Sequence, residues 1–292
     1  MKIGDTVVRK SYGMDIAFKI IDVKPKENGD EFIIKGLNLR LIADAPEEDL
    51  EIVSDHCNTN KDIVFNKKID KAIKKILASR NDMFRGDSDR SSKHHKNNFE
   101  TKELTFGRPG RILHIDGDEE YLDACLTVYK QLGLDAVGKV IEESRQPLIV
   151  VDLVKDVKPD IIVLTGHDGI LKEASDYGNL ENYRNSKYFV KSVAALRNFQ
   201  ASYDELVIFA GACQSCYEKI LDAGANFASS PSRVLIHCLD PVFICEKIAY
   251  TNIEKIVPVQ EAVESTITGT KGIGGLQTRG KYREGYPKTQ FI

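Results

Sequence analysis

The feature that most constrains the fold is an alternation of short apolar runs and amphipathic segments from Arg108 onward. Apolar runs of this kind are typical of parallel strands that are buried on both faces. The amphipathic segments between them predict helices that cover such a sheet. The clearest runs are 111–116, 161–165 and 205–210, and the clearest helical segments are 119–132 and 186–199. The sequence therefore predicts an α/β domain over 106–292, with a doubly wound, mostly parallel sheet.

Residues 1–54 follow a different pattern, in which short alternating segments are separated by polar, glycine-containing turns. Four or five strands at a spacing of about ten residues predict a small SH3-like β-barrel. A module of this kind is more typical of docking or stabilisation than of chemistry.

Residues 55–105 predict one helix followed by a linker. Apolar positions recur at helical spacing between residues 63 and 77. Residues 79–103 are almost all polar and cannot bury enough apolar surface to offset the entropy of ordering. We therefore expect an exposed, flexible linker that carries three accessible arginines: Arg80, Arg85 and Arg90.

Composition excludes several classes of function. The formal net charge of −3 gives no global attraction to nucleic acid or to anionic lipid, so neither is an expected partner. No apolar run is long enough to span a bilayer, and charge interrupts the first residues before the core of a signal peptide could form. The six cysteines are expected to be thiols of a cytoplasmic protein, and no cofactor motif is found.

Two predicted strands end in residues that can carry chemistry. The run 161–165 leads into Gly166-His167-Asp168-Gly169, and the run 206–210 leads into Gly211-Ala212-Cys213. Ligands of open α/β sheets bind beyond the carboxyl ends of the strands. If the two strands are neighbours, His167 and Cys213 project from the same edge of the sheet.

A cysteine and a histidine at one sheet edge are what a cysteine peptidase needs. The start of a helix after Cys213 would favour the thiolate, which is the nucleophile. His167 would exchange a proton with the thiol and the leaving amine. Backbone N–H groups at Gly166, Gly211 or Cys213 would stabilise the oxyanion. His114 is a second candidate base, although its position inside a strand favours a packing role.

These strand ends resemble those of the caspase-like peptidases, in which a strand ending in His-Gly precedes one ending in Ala-Cys. Here Cys213 lies 46 residues after His167, close to the caspase spacing. One departure is Asp168, which separates the histidine from Gly169. From Lys2-Ile3-Gly4-Asp5 to the sequence YREGYP at 282–287, the chain also resembles the YabG family of sporulation-specific cysteine peptidases of endospore-forming Firmicutes.

The resemblance implies a substrate class and a location. It implies cleavage of spore coat and other spore proteins, in the cytoplasm of the sporulating cell at the forming coat. Arginine-specific relatives place an acid in the pocket that follows the second catalytic strand, and Asp240 follows a predicted strand over 233–237. Asp240 could instead only begin a turn before Pro241. With an arginine preference, the linker would itself be a substrate, cut at Arg80, Arg85 or Arg90.

Other classes of function stay open at this point. Cys213-x-x-Cys216 at the start of a helix also resembles a thioredoxin-like redox site. A zinc site could use some of Cys213, Cys216, His237, Cys238 and Cys245. Asp116 and Asp118 after the first strand of the α/β domain resemble a phosphoacceptor receiver domain. Otherwise Cys125, Cys238 and Cys245 lie in apolar helix or strand patterns and are expected to pack in the core, and Cys57 is expected to be inert.

Overall fold

The computed structural model describes residues 1–26, 29–54, 59–89, 105–171 and 174–289, and for residues 81–89 only the backbone is described. The N-terminal residues form an antiparallel sheet in the order β4-β3-β2-β1-β5. Its strands are β1 (Thr6–Arg9), β2 (Ala17–Lys24), β3 (Glu31–Gly36), β4 (Ile42–Pro46) and β5 (Leu50–Ile52). The predicted number of strands is confirmed, but β4 and β5 lie at opposite edges, so closure into an SH3-like barrel stays a prediction.

A six-stranded sheet forms the centre of the second half of the chain. It consists of β7 (Ile112–Asp116), β8 (Ala136–Val140), β9 (Ile161–Thr165), β10 (Val207–Ala210), β11 (Phe227–Ser229) and β12 (Ile273–Gly275), in the order β12-β11-β10-β9-β7-β8. All neighbours are parallel except β11 and β12. The predicted α/β class with a mostly parallel sheet is confirmed. The strand order reverses between β7 and β9, which creates a crevice at their carboxyl ends.

Helices cover both faces of this sheet. One face packs on α2 (Glu119–Gln131), α6 (Asp240–Tyr250) and α7 (Val259–Glu264), and the other on α3 (Gln146–Val157), α4 (Ser186–Phe199) and α5 (Tyr217–Asp222). Successive strand residues such as Ile161 and Ile162 point to opposite faces, and both are fully buried. This two-sided burial explains the nearly continuous apolar runs in the sequence.

A long helix and a small ribbon complete the structure. Helix α1 covers Asn60–Asp89, and β6 (Phe106–Arg108) pairs antiparallel with β13 (Arg283–Gly285). No described helix is long and apolar enough to cross a membrane.

The structure corrects the predicted linker. Helix α1 continues through residue 89, so the expectation of irregular chain from residue 79 is wrong over that stretch. Arg80 lies on this helix with its guanidinium 2.6 Å from Glu246, 3.3 Å from the ring centre of Tyr250 and hydrogen-bonded to the carbonyl of Leu132. Arg80 is therefore fixed on the α/β domain. Arg85 is helical in its backbone, whereas Arg90 lies outside the described residues.

Candidate active site

His167 and Asp118 meet in the crevice between β7 and β9. Each is the second residue after its strand. The Nε2 atom of His167 lies 3.0 Å from Oδ2 of Asp118. Because a carboxylate only accepts hydrogen bonds, Nε2 carries a proton in this contact, and in the neutral imidazole Nδ1 is then the nitrogen with the lone pair. Asp118 is not among the partners predicted for His167, although its place beyond a buried strand was an available signal.

Asp118 is shared by two cationic or proton-donating groups. The Nζ of Lys35, on β3, lies 3.0 Å from Oδ2 and 3.2 Å from Oδ1. Burial opposes ionisation of Asp118, but the hydrogen bonds from His167 and Lys35 outweigh it and lower the pKa of Asp118 to about 2. The same carboxylate accepts the backbone N–H of Tyr121 at 3.2 Å and so caps α2. Asp118 is therefore ionised and fixed in orientation.

The other ring nitrogen of His167 is free. Its Nδ1 is buried and has no hydrogen-bond partner within the described part of the chain. The ring of Tyr121 lies beside the imidazole, with the ring centres 5.5 Å apart. Buried polar atoms without partners are uncommon, and a catalytic role is one explanation for them. Nδ1 is the atom through which His167 can exchange a proton.

Cys213 leaves the same sheet edge as His167. Leu164 of β9 is paired with Ala210 of β10, and each catalytic candidate is the third residue after its member of that pair. The two strands are neighbours, so the condition set in the sequence analysis is met. The register places the two loops side by side at the carboxyl edge of the sheet.

The thiol of Cys213 is closed off in this conformation. Cys213 is fully buried, and the N–H of Ile236 donates to its Sγ at 3.2 Å. Burial raises the pKa of the Cys213 thiol to about 12. The expectation of a thiolate favoured by a helix start is therefore wrong here, because α5 begins only at Tyr217 and burial dominates.

Residues 234–237, named here the covering segment, close the site over Cys213. The prediction of a sheet strand at 233–237 is wrong, since these residues are not part of the six-stranded sheet. The carbonyl of Val234 accepts the N–H of Gln214 at 3.2 Å, and His237 forms an isolated antiparallel bridge with Leu39 of the N-terminal sheet's β3–β4 connection. Both backbone polar groups of Ile236, in this segment, contact Sγ of Cys213.

Asp168, the departure from the His-Gly pattern, connects the loop of His167 to the loop of Cys213 through hydrogen bonds. It is buried, and its carboxylate accepts hydrogen bonds from the hydroxyls of Ser186 at 2.5 Å and Ser215 at 2.8 Å. Ser186 in turn accepts the N–H of Cys216 at 2.8 Å. Burial raises the pKa of Asp168, while these hydrogen bonds favour its charged form. Asp168 thus links the histidine loop to the residues that follow Cys213.

The predicted oxyanion donors fall into two groups. The N–H of Gly211 donates to the carbonyl of Leu164 at 3.0 Å and is not available in this conformation. The N–H groups of Gly166 and Cys213 have no acceptor among the described residues. A side chain at position 166 would overlap the carboxylate of Glu143, which accepts the N–H of His167 at 2.6 Å, so this position requires glycine.

Asp240 is shielded from solvent. It is fully buried at the start of α6, and its carboxylate accepts the N–H groups of His237, Ile267 and Thr268 at 2.7 to 3.0 Å. The hydroxyl of Thr268 donates to it as well, at 2.5 Å. No oxygen of Asp240 is exposed to a substrate guanidinium. The geometry matches the alternative in which this residue organises a turn.

The alternative sites find little support among the described residues. No group of three or more His, Cys, Asp or Glu side chains there could bind a metal ion. Cys213 and Cys216 are both free thiols, and the Sγ of Cys216 donates to the carbonyl of Tyr177 at 3.6 Å. Asp116 is fully buried in an ion pair with Arg40 at 2.7 Å, which leaves no accessible phosphoacceptor there.

His114 and the remaining cysteines have packing roles. His114 is fully buried, with Nε2 2.8 Å from the hydroxyl of Thr165 and Nδ1 3.2 Å from that of Tyr129, and burial lowers its pKa. This confirms its packing role. Cys125, Cys238 and Cys245 are buried in the core, as expected, and Cys57 lies outside the described residues.

Comparison with known proteins identifies the family. The family model described as YabG peptidase U57 matches residues 2–287. The chain belongs to this family. It is also 40% identical over 287 residues to the sporulation-specific protease YabG of Bacillus subtilis (strain 168), a match that covers 98% of each chain. Membership of the YabG family establishes a peptidase and confirms the resemblance found in the sequence.

Proposed function

We propose that this YabG-family protease is a cysteine endopeptidase with Cys213 as nucleophile, His167 as general acid and base, and Asp118 as the residue that orients the imidazole. The observation that carries the proposal is the state of His167: Nε2 is bound to Asp118, and Nδ1 is buried without a partner. The topology supports it, because His167 and Cys213 follow paired positions of adjacent parallel strands.

The reaction follows from these roles. Nδ1 of His167 takes the thiol proton as Sγ of Cys213 bonds to the scissile carbonyl carbon. The C–N bond then breaks, and the proton on Nδ1 passes to the leaving amine. Water attacks the resulting thioester, gives a proton to Nδ1, and the C–S bond breaks to release the acid and restore the thiol. The N–H groups of Gly166 and Cys213 are our candidates for stabilising the oxyanion.

Because the Cys213 thiol is fully buried, a conformational change must precede its reaction with a substrate. A fully buried Cys213 with a pKa raised to about 12 is protonated at neutral pH. Displacement of the covering segment would expose Sγ to solvent and substrate and remove the cause of the raised pKa. We therefore infer that productive substrates open the covering segment before the thiol reacts.

We propose a preference for cleavage after arginine. We propose Glu218, rather than Asp240, as the carboxylate that binds the guanidinium of the substrate. Glu218 lies on α5, which directly follows the Cys213 loop, and its carboxylate is mostly exposed. Its Oε2 lies 2.5 Å from Nη2 of Arg233, and the Nε of Arg233 donates to the hydroxyl of Tyr183 at 2.9 Å. In this conformation the guanidinium bound to Glu218 is that of the chain's own Arg233, and it lies beside the loop of Cys213. In E218Q, the ratio of arginine to lysine cleavage should fall, since a bidentate carboxylate contact favours arginine.

The remaining expectations are also proposals. The B. subtilis relative is described as sporulation-specific. On that basis we propose spore coat and other spore proteins as substrates, in the cytoplasm of the sporulating cell. We further propose a caspase-like arrangement of the α/β domain and self-cleavage after Arg85 or Arg90. Arg80 is less suited to cleavage, because its guanidinium is bound to Glu246 and to the carbonyl of Leu132.

The test is covalent labelling with a peptide chloromethyl ketone that carries arginine at the reactive end. Purified wild-type protein should lose activity and gain one label, which peptide mapping places on Cys213. C213A and H167A should neither turn over an arginine peptide nor take up the label, whereas the matched control C216A should do both. Turnover of the substrate by folded C213A, or labelling at Cys216 instead, would exclude the proposed nucleophile.

A further inference from the structure

Lys35 is a nearly buried cation at the proposed active site, although it belongs to the N-terminal sheet. Its side chain is 10% exposed, and Nζ contacts both oxygens of Asp118. Nζ also lies 2.5 Å from Oε2 of Glu120. Lysine is almost never buried unless it is paired. These contacts therefore place Lys35 where it acts on the carboxylate that binds His167.

Tyr121 fixes the N-terminal sheet against this site. Its hydroxyl donates to the carbonyls of Gly36 and Leu39, in the latter case at 2.7 Å. Its ring lies 5.5 Å from the imidazole of His167 and 5.3 Å from Nζ of Lys35. One buried side chain thus contacts the end of β3, the following loop and the catalytic histidine. The position of Lys35 relative to His167 is set by this packing.

A second cation, from the loop that follows β3, binds the residue two positions before Asp118. Arg40 is fully buried, and its Nη1 lies 2.7 Å from Oδ2 of Asp116. Oδ1 of Asp116 accepts the backbone N–H of Asp118 at 3.0 Å. Arg40 therefore stabilises the carboxylate that holds the backbone of Asp118 in place. Lys35 and Arg40 therefore form ion pairs with Asp118 and Asp116, after and at the end of β7.

We propose that Lys35 is a positioning residue for the peptidase reaction, acting through Asp118, and that the N-terminal sheet is thereby a part of the active site. The inference rests on the proposed roles of Cys213 and His167. The Lys35 ammonium contacts both oxygens of Asp118 and orients the plane of the carboxylate toward Nε2 of His167. Without it, the carboxylate keeps the Tyr121 N–H and the imidazole but loses its third contact.

The test compares K35M with K35R and K19M in the full-length protein. Lys19 is the matched control, because it binds the same Glu120 at 2.9 Å but is 40% exposed and does not contact Asp118. In K35M we expect kcat to fall by about tenfold and KM to change by less than about twofold. Loss of the residue that orients a functional histidine through a hydrogen bond has an effect of about this size at metal sites. K35R should recover most of kcat, and K19M should leave it unchanged.

A double-mutant cycle separates positioning from a loss of folding. If Lys35 acts through Asp118, K35M in a D118N background should lower kcat by less than about twofold, because the carboxylate it orients is gone. An equal loss in both backgrounds, or a folded K35M with wild-type kcat, would overturn the proposal. If K35M fails to fold, K35Q takes its place: a kcat about tenfold below wild type in folded K35Q supports the role, and wild-type kcat opposes it. Activity of C213A would instead refute the proposed function itself.

Discussion

Asp118→Asn is the substitution that most directly tests the arrangement of the site. The amide has the size of the carboxylate and remains a good helix cap for α2, so the N–H of Tyr121 keeps an acceptor. What changes is the charge that faces Nε2 of His167 and Nζ of Lys35. The variant therefore separates the chemistry of Asp118 from its role in the fold.

The stability cost can be worked out from the pKa of Asp118. A shift from 3.8 to about 2 corresponds to at most about 2 kcal/mol, and contact with solvent reduces this to about 1 kcal/mol. Because the folded-state pKa is lowered, this contribution is complete above the unfolded pKa and disappears as the pH falls toward 2. The difference in free energy of unfolding between wild type and D118N should thus be smaller at pH 3 than at pH 7.

The catalytic cost should be much larger than the stability cost. Loss of the carboxylate that orients a catalytic histidine costs about 10⁴ in kcat in a serine protease triad. Here Lys35 already offsets part of the charge, and Asp118 is not fully buried, so we expect a loss of about 10². KM should change little, because Asp118 faces the imidazole rather than the substrate.

The assay is steady-state hydrolysis of an arginine peptide at pH 7, with urea unfolding of the same preparations at pH 7 and pH 3. A D118N enzyme that is as stable as predicted but retains wild-type kcat would refute the role of Asp118. If D118N is so destabilised that unfolded protein accounts for its lost activity, the variant would not report on catalysis, and the expected stability cost of about 1 kcal/mol would be refuted.

Further predictions concern burial and charge. Arg40→Met should lower the free energy of unfolding in urea by about 3–5 kcal/mol, because it leaves a buried carboxylate unpaired; a loss below 1 kcal/mol would contradict this. Asp240→Asn should lower thermal stability yet leave the arginine-to-lysine cleavage ratio unchanged, whereas a changed ratio would restore its predicted pocket role. Iodoacetamide should modify Cys213 slowly at pH 7 and faster as the pH rises toward 10, as peptide mapping can follow; rapid labelling at neutral pH would contradict the closed thiol. Protein cut after Arg85 or Arg90 should elute from gel filtration as one particle, because the N-terminal sheet is bound through Arg40, and separate fragments would count against it.

Several features of the site follow from local sequence. Apolar runs buried on both faces predict parallel strands, and the chemistry at their ends follows from a general property of such sheets. His167 and Cys213 could therefore be chosen from the sequence, as could the packing role of His114. The end of α1 could not be predicted from the sequence, because Arg80 binds partners on distant elements. Local polarity alone suggested a linker there.

Other features depend on how separate elements pack. The acid chosen by sequence order, Asp240, is saturated by hydrogen bonds from residues up to 28 positions away. The acid that binds His167 is Asp118, and its cation Lys35 is 83 positions away, on another sheet. Strand and helix periodicity arises from interactions between near neighbours in the chain, so the sequence alone determined the central strands and the two loops that carry His167 and Cys213. Contacts between charged side chains depend on the relative placement of whole sheets, so only the tertiary structure decided which acid faces the histidine.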